Sequence, residues 1–137
     1  MSDGKSDVVI GTDSFSRRVT MTPAATGGAS IHRRISTADT NAAVVKNAAG
    51  TVYAVYATNA NAAIRYLKLY NKATAPTVGT DVPVMTLPIP ATGSINPNLL
   101  VGASFPLGIA MALTTGVADA DTAAVSANEH IVHIVYS

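Results

Sequence analysis

Between residues 41 and 137, large apolar side chains alternate with small or polar ones in short runs that stop at Gly, Pro, Asn or Asp. This is the pattern of half-buried β-strands joined by turns. Residues 44–46 form a first strand, and Asn47-Ala48-Ala49-Gly50 is a turn ending in glycine that predicts a hairpin with the β-branched and aromatic run 51–58. After a second turn at 59–62, the strand 63–70 places Ile64, Tyr66, Lys68 and Tyr70 on one face and Arg65, Leu67 and Leu69 on the other. Neither face is wholly polar, so burial on both sides is expected in part. The long stretch 71–81, with Pro76 and Gly79, fits a crossover between two sheets better than a tight hairpin.

Residues 82–90 carry Pro83, Pro88 and Pro90. Proline lacks the N–H that a central strand must donate, so this run is confined to an edge or a bulged strand. The cleanest period of two sets Phe105, Leu107, Ile109, Met111 and Leu113 against Pro106, Gly108, Ala110 and Ala112. It predicts one strand crossing the core with large side chains inward and small ones outward. Residues 114–128 read as a loop carrying Asp119 and Asp121, and 131–136 as a final β-branched strand. Ser36-Thr37-Ala38-Asp39, followed by alanines and closed by Gly50, also fits a short capped helix. The strand reading is preferred because residues 53–56 need a partner. About eight short strands without an amphipathic helix or an internal repeat predict an all-β fold, an antiparallel β-sandwich, jelly-roll-like, over residues 37–137.

Residues 1–36 differ in character. They hold Lys5, Arg17, Arg18, Arg33 and Arg34 against Asp3, Asp7 and Asp13, and residues 23–30 offer a core almost nothing. An extended N-terminal arm is expected, lying on its own domain or on a neighbouring subunit, with alternations at 17–21 and 31–35 able to pair as edge strands. Composition adds what kind of surface to expect. At 137 residues the chain is one domain, and its charged fraction of 12 % is about half the usual quarter. The surface is therefore mostly Ala, Thr, Ser, Gly and Asn, suited to contact with other protein, and a net charge of +1 gives nucleic-acid binding little support. The absence of cysteine excludes disulfides, thiolate metal sites and cysteine nucleophiles. No leader is expected from the polar start, and no membrane span from residues 99–116, which Pro106 and glycines interrupt.

Candidate chemistry is thin. Glu129, His130 and His133 resemble a metal or acid/base cluster, but strand residues three apart face opposite sides, so His130 and His133 do not share a ligand. Asp119-Ala120-Asp121-Thr122 starts like a calcium loop and lacks the later glycine and glutamate, which leaves a solvated turn. No nucleophile elbow, phosphate loop or dinucleotide fingerprint is present, so no enzyme and no cofactor is expected. Arg17-Arg18 and Arg33-Arg34 are the candidate partner-binding residues. In an extended segment adjacent arginines point opposite ways, so one of each pair meets a given surface.

The stretch Ala-Ile-Arg-Tyr-Leu-Lys-Leu-Tyr-Asn-Lys-Ala-Thr-Ala at 63–75 with the following Pro-Thr-Val-Gly-Thr-Asp resembles small virion proteins of tailed bacteriophages. So do Phe-Pro-Leu-Gly-Ile-Ala-Met-Ala-Leu-Thr-Thr-Gly at 105–116 and Ala-Asp-Ala-Asp-Thr-Ala-Ala-Val at 118–125. The resemblance covers most of residues 42–137 and leaves the arm unmatched. It implies a structural protein of the virion, made in the host cytoplasm. The expected role is capsid decoration, or cement: binding the outer surface of the assembled major capsid protein shell, as a homo-oligomer with a trimer favoured. A tail, neck or fibre component that binds a host surface or glycan is the alternative, favoured if Tyr53, Tyr56, Tyr66 or Tyr70 line a concave face.

Overall fold

The computed structural model describes residues 28–137. They form β1 (Ser30–Ile35), β2 (Ala43–Lys46), β3 (Gly50–Asn59), β4 (Arg65–Asn71), β5 (Met85–Ile89), β6 (Gly93–Ile95), β7 (Asn98–Phe105), β8 (Ile109–Thr114) and β9 (His130–Tyr136). One sheet runs β1-β9-β3-β6, with β7 also pairing β3, and the other runs β2-β8-β4-β5. Every strand pair is antiparallel. The all-β expectation with antiparallel sheets therefore holds, and the residues that could have made a capped helix instead hold β2 and a loop. Ser30–Ile35, which the sequence placed in the arm, is an edge strand paired with β9 over its whole length.

The two sheets share one core. Val52, Val55, Ala57, Phe105, Val132 and Ile134 from the five-stranded sheet meet Val45, Leu67, Leu69, Ile89, Ile109, Met111 and Leu113 from the four-stranded one, and Val125 of the last loop joins them. Period-two alternation sets this arrangement, because it gives each strand one apolar face to bury. β4 is buried on both sides, as its mixed faces predicted: Leu67 and Leu69 turn inward, Lys68 and Tyr70 outward, and all four are buried. β5 is an edge strand, in keeping with its prolines.

Three connections differ from expectation. Asn47-Ala48-Ala49 does not close a hairpin: β2 pairs β8 in one sheet and β3 pairs β9 in the other, so the short turn carries the chain across the core. Residues 72–84 do not cross between sheets, because β4 and β5 are antiparallel neighbours in one sheet. The run 105–113 is not one strand. Phe105 ends β7, and Pro106-Leu107-Gly108 turns the chain into β8 of the opposite sheet. Phe105 and Ile109 face the same core from opposite sides, so the alternation reads through the break, while Leu107 is 63 % exposed. Gly108 permits this turn: a Cβ there would lie 2.6 Å from both the Ala73 Cα and the Lys72 carbonyl oxygen. β6 and β7 had no counterpart in the sequence reading. Their stretch contains Pro97, Gly102 at φ +86° and, between Asn98 and Ala103, a shift of register against β3, and these disturb a simple alternation.

Candidate functional site

The outer faces of the two sheets are treated differently by the chain. On the four-stranded sheet, Ala110, Ala112, Lys68, Tyr70 and Thr114 are buried although they point away from the core. The loops before β5 and β9 lie over them. Val78 packs on Tyr70, Ala110 and Ala112, and the Lys68 ammonium donates to the Ala118 carbonyl at 2.6 Å. The Tyr70 hydroxyl is buried there with no hydrogen-bond partner among the described residues. Burial, followed by the charges of Asp81 and Asp119, pushes that phenol above its ordinary pKa. Asp81 itself is held below the usual carboxylate range, first by the hydrogen bond from Lys72 and then by the Thr77 N–H.

No described loop covers the outer face of the five-stranded sheet in this way. The register of β1, β9 and β3 lays out three rows there: Ile31, Val135 and Ala54; Arg33, His133 and Tyr56; Ile35, Ile131 and Thr58. Ile31 is 67 % exposed and Tyr56 45 %. A shallow groove of about 490 Å³ runs along Ile31, Tyr56, Thr58, Ile131, His133 and Val135. The Tyr56 and His133 rings meet edge to face at 5.9 Å. Arg33 is exposed in the middle row. Of the described acidic residues, Asp39, Asp81, Asp119 and Asp121 lie in loops and Glu129 is buried, so the face is apolar with positive charge at its centre.

The neighbouring arginine has another task. Arg34 turns to the inner side of β1, where its Nε donates to Asn41 Oδ1 at 2.9 Å and its Nη2 reaches Thr37 Oγ1 at 3.4 Å. Asn41, 1 % exposed and at φ 54°, holds the loop by donating to the carbonyls of Thr37 and Asp39. The structure thus separates the pair: Arg33 faces outward and Arg34 braces a turn. Arg17 and Arg18 lie outside the described residues. His32, also on the inner side of β1, has a buried Nε2 without a partner among the described residues, and burial followed by the Arg34 charge lowers its pKa.

No known protein family, curated protein or solved structure matches this chain. Its remaining polar chemistry is a buried cluster where β9 begins. The Glu129 carboxylate accepts from Asn61 Nδ2 at 2.9 Å, Arg65 Nε at 3.0 Å and His130 Nε2 at 2.7 Å. Burial alone would raise the Glu129 pKa, but the hydrogen bonds from Asn61 and His130, the His130 charge and the Arg65 bond outweigh it and hold the carboxyl low. The Oγ of Ser36 accepts from the backbone N–H groups of Glu129 and His130 and donates to the Ser126 carbonyl. This cluster ties β9, the β3–β4 turn and β4 together across the two sheets.

His130 and His133 lie on opposite faces, as their spacing requires. Asp121 accepts from the N–H of Ala123 within its own turn, and among the described residues no three acidic or histidine side chains gather as metal ligands. The four tyrosines do not converge: Tyr53 and Tyr56 belong to one sheet, Tyr66 and Tyr70 to the other, and Tyr70 is 1 % exposed. The described residues contain no helix, and hence none long and apolar enough to cross a membrane. The sequence reading missed the three-row face because its β1 row was assigned to the arm. The signal was present in Ile31-x-Arg33-x-Ile35, an alternation whose apolar side turned out to face away from the core.

Proposed function

We propose that this chain is a bacteriophage capsid decoration protein that binds the outside of the assembled major capsid protein shell and stabilises it, as a homo-oligomer with a trimer favoured. The observation that carries the reading is the asymmetry of the two sheets. Among the described residues, one outer face is closed by the chain's own loops, while the other presents apolar rows around Arg33. A contiguous apolar patch of this kind marks an interaction surface, and its positive centre complements an acidic protein surface. The strand order supports a jelly-roll sandwich. With β6 and β7 counted as one interrupted strand, two four-stranded sheets are threaded by a chain that crosses between them at most connections, an architecture shared with viral capsid domains.

The mechanism is mass action. A protein that binds the assembled shell and not its free subunits adds its binding free energy to the assembled state, about 2.7 kcal/mol per site at a free concentration one hundred times Kd. Arg33 meets the shell directly. Arg17 and Arg18 are assigned to the same acidic surface on the sequence reading. The test is the copy number of the chain in purified particles of the phage that encodes it, measured by quantitative mass spectrometry against the major capsid protein. A lattice-bound decoration protein is expected at on the order of hundreds of copies. A handful, as a neck or tail ring would hold, or none at all, overturns the reading.

A further inference from the structure

The open edges of the sheets are not equally protected. An edge strand exposes unpaired N–H and C=O groups, and proteins guard such edges in the backbone, with prolines, bulges, short strands or interruptions, or with charged side chains. Among the described residues, three of the four edges carry a backbone guard. β5 contains Pro88 between flanking Pro83 and Pro90. β2 is four residues long with a register shift between Val44 and Lys46. The β6/β7 edge is split at Asn96-Pro97 and bulged before Ala103. β1 has no backbone guard: its six residues pair with β9 in unbroken register, without proline or bulge. In an antiparallel pair every second residue directs its N–H and C=O away from the partner, so one side of β1 is a regular row of donors and acceptors that no other described strand pairs. Its outward side chains, Ile31, Arg33 and Ile35, are all exposed. On its inner side Arg34 is tied back to Asn41 and Thr37 and does not project past the edge into the path of another strand.

We propose that β1 is a docking edge, to which an extended segment of the partner protein adds as a further strand bearing the pattern apolar-x-acidic-x-apolar. The carboxylate of that segment sits beside Arg33, and its apolar side chains continue the rows begun by Ile31 and Ile35. Main-chain hydrogen bonds supply the grip and the alternate side chains the selectivity, which is how strand addition works in general. Among the described residues the row of Arg33, His133 and Tyr56 has no carboxylate, and the acidic position of the partner segment supplies one. The inference names how the shell is held and so rests on the decoration reading.

The experiment is hydrogen exchange of the full-length chain, free in dilute solution and bound in purified particles, resolved to single β1 amides by fragmentation mass spectrometry. The alternate amides of β1 that point away from β9 should exchange quickly in the free chain and about tenfold or more slowly in particles. Arg33→Glu should cut occupancy about tenfold, with Arg33→Lys retaining most of it. Bound chain whose β1 exchange is unchanged overturns strand addition and leaves decoration standing; chain absent from particles overturns both. Outward amides already protected in the free chain would mean that residues 1–27 or a second copy hold the edge, which also overturns the proposal. Full occupancy by Arg33→Glu removes the acidic partner pattern.

Discussion

Replacing Glu129 with alanine removes the acceptor shared by Asn61, Arg65 and His130. Taking one member out of a buried ionic cluster costs about 3–5 kcal/mol, because the remaining charges and donors stay desolvated without a partner. The Arg65 side chain keeps 16 % of its exposure, so water recovers part of its loss. The His130 ring, at 0 %, recovers none. The expected cost is therefore at the lower end of that range, about 3 kcal/mol. In urea titrations an m-value of about 1–3 kcal/mol/M turns this into a midpoint lowered by about 1–3 M. Glu129→Gln keeps the shape and one acceptor and should lose less. The pH dependence gives a second reading. The folded carboxyl titrates below its unfolded value, so its contribution is complete above the ordinary carboxylate range and is lost as pH falls through the lower folded value. The gap between wild type and Glu129→Gln should narrow in that window. A Glu129→Ala protein within about 0.5 kcal/mol of wild type at neutral pH would refute the claim that the three donors depend on this carboxylate.

Three further outcomes follow from the packing. Tyr70→Phe should be neutral or stabilising by about 1 kcal/mol in thermal melts, because the hydroxyl it removes is buried without a partner among the described residues; a loss above that size would mean the hydroxyl has one. Gly108→Ala should cost about 1–3 kcal/mol, since its Cβ would press on backbone atoms of Lys72 and Ala73 that have no rotamer to yield; unchanged stability refutes the close approach. Arg34→Ala should lose about 1 kcal/mol through its bond to Asn41, while Arg33→Ala stays within about 0.5 kcal/mol. Equal effects of the two in chemical denaturation would contradict their opposite placement.

The strands themselves were legible because alternation is a local property: a run such as 131–136 needs one apolar face buried whatever its neighbours are. The same holds for the opposite facing of His130 and His133, the edge position forced by Pro88, and the separation of Arg33 from Arg34. Partners are not local. Asn47-Ala48-Ala49 is as compatible with a crossing between sheets as with a hairpin, and what sends β2 to β8 and β3 to β9 is the burial of both inner faces at once. The Glu129 cluster assembles residues from 36 to 130 that share no spacing rule. The docking face depends on a decision made nowhere in the sequence of β1. Ile31 and Ile35 look like core residues by their period, yet β1 turns His32 and Arg34 inward and leaves the isoleucines outside. Periodicity determined which side chains share a face. Only the pairing with β9, in a register that sets His32 across from Ile134 and Arg33 across from His133, decided which face meets the core, because a strand's two faces become unequal only when another sheet covers one of them.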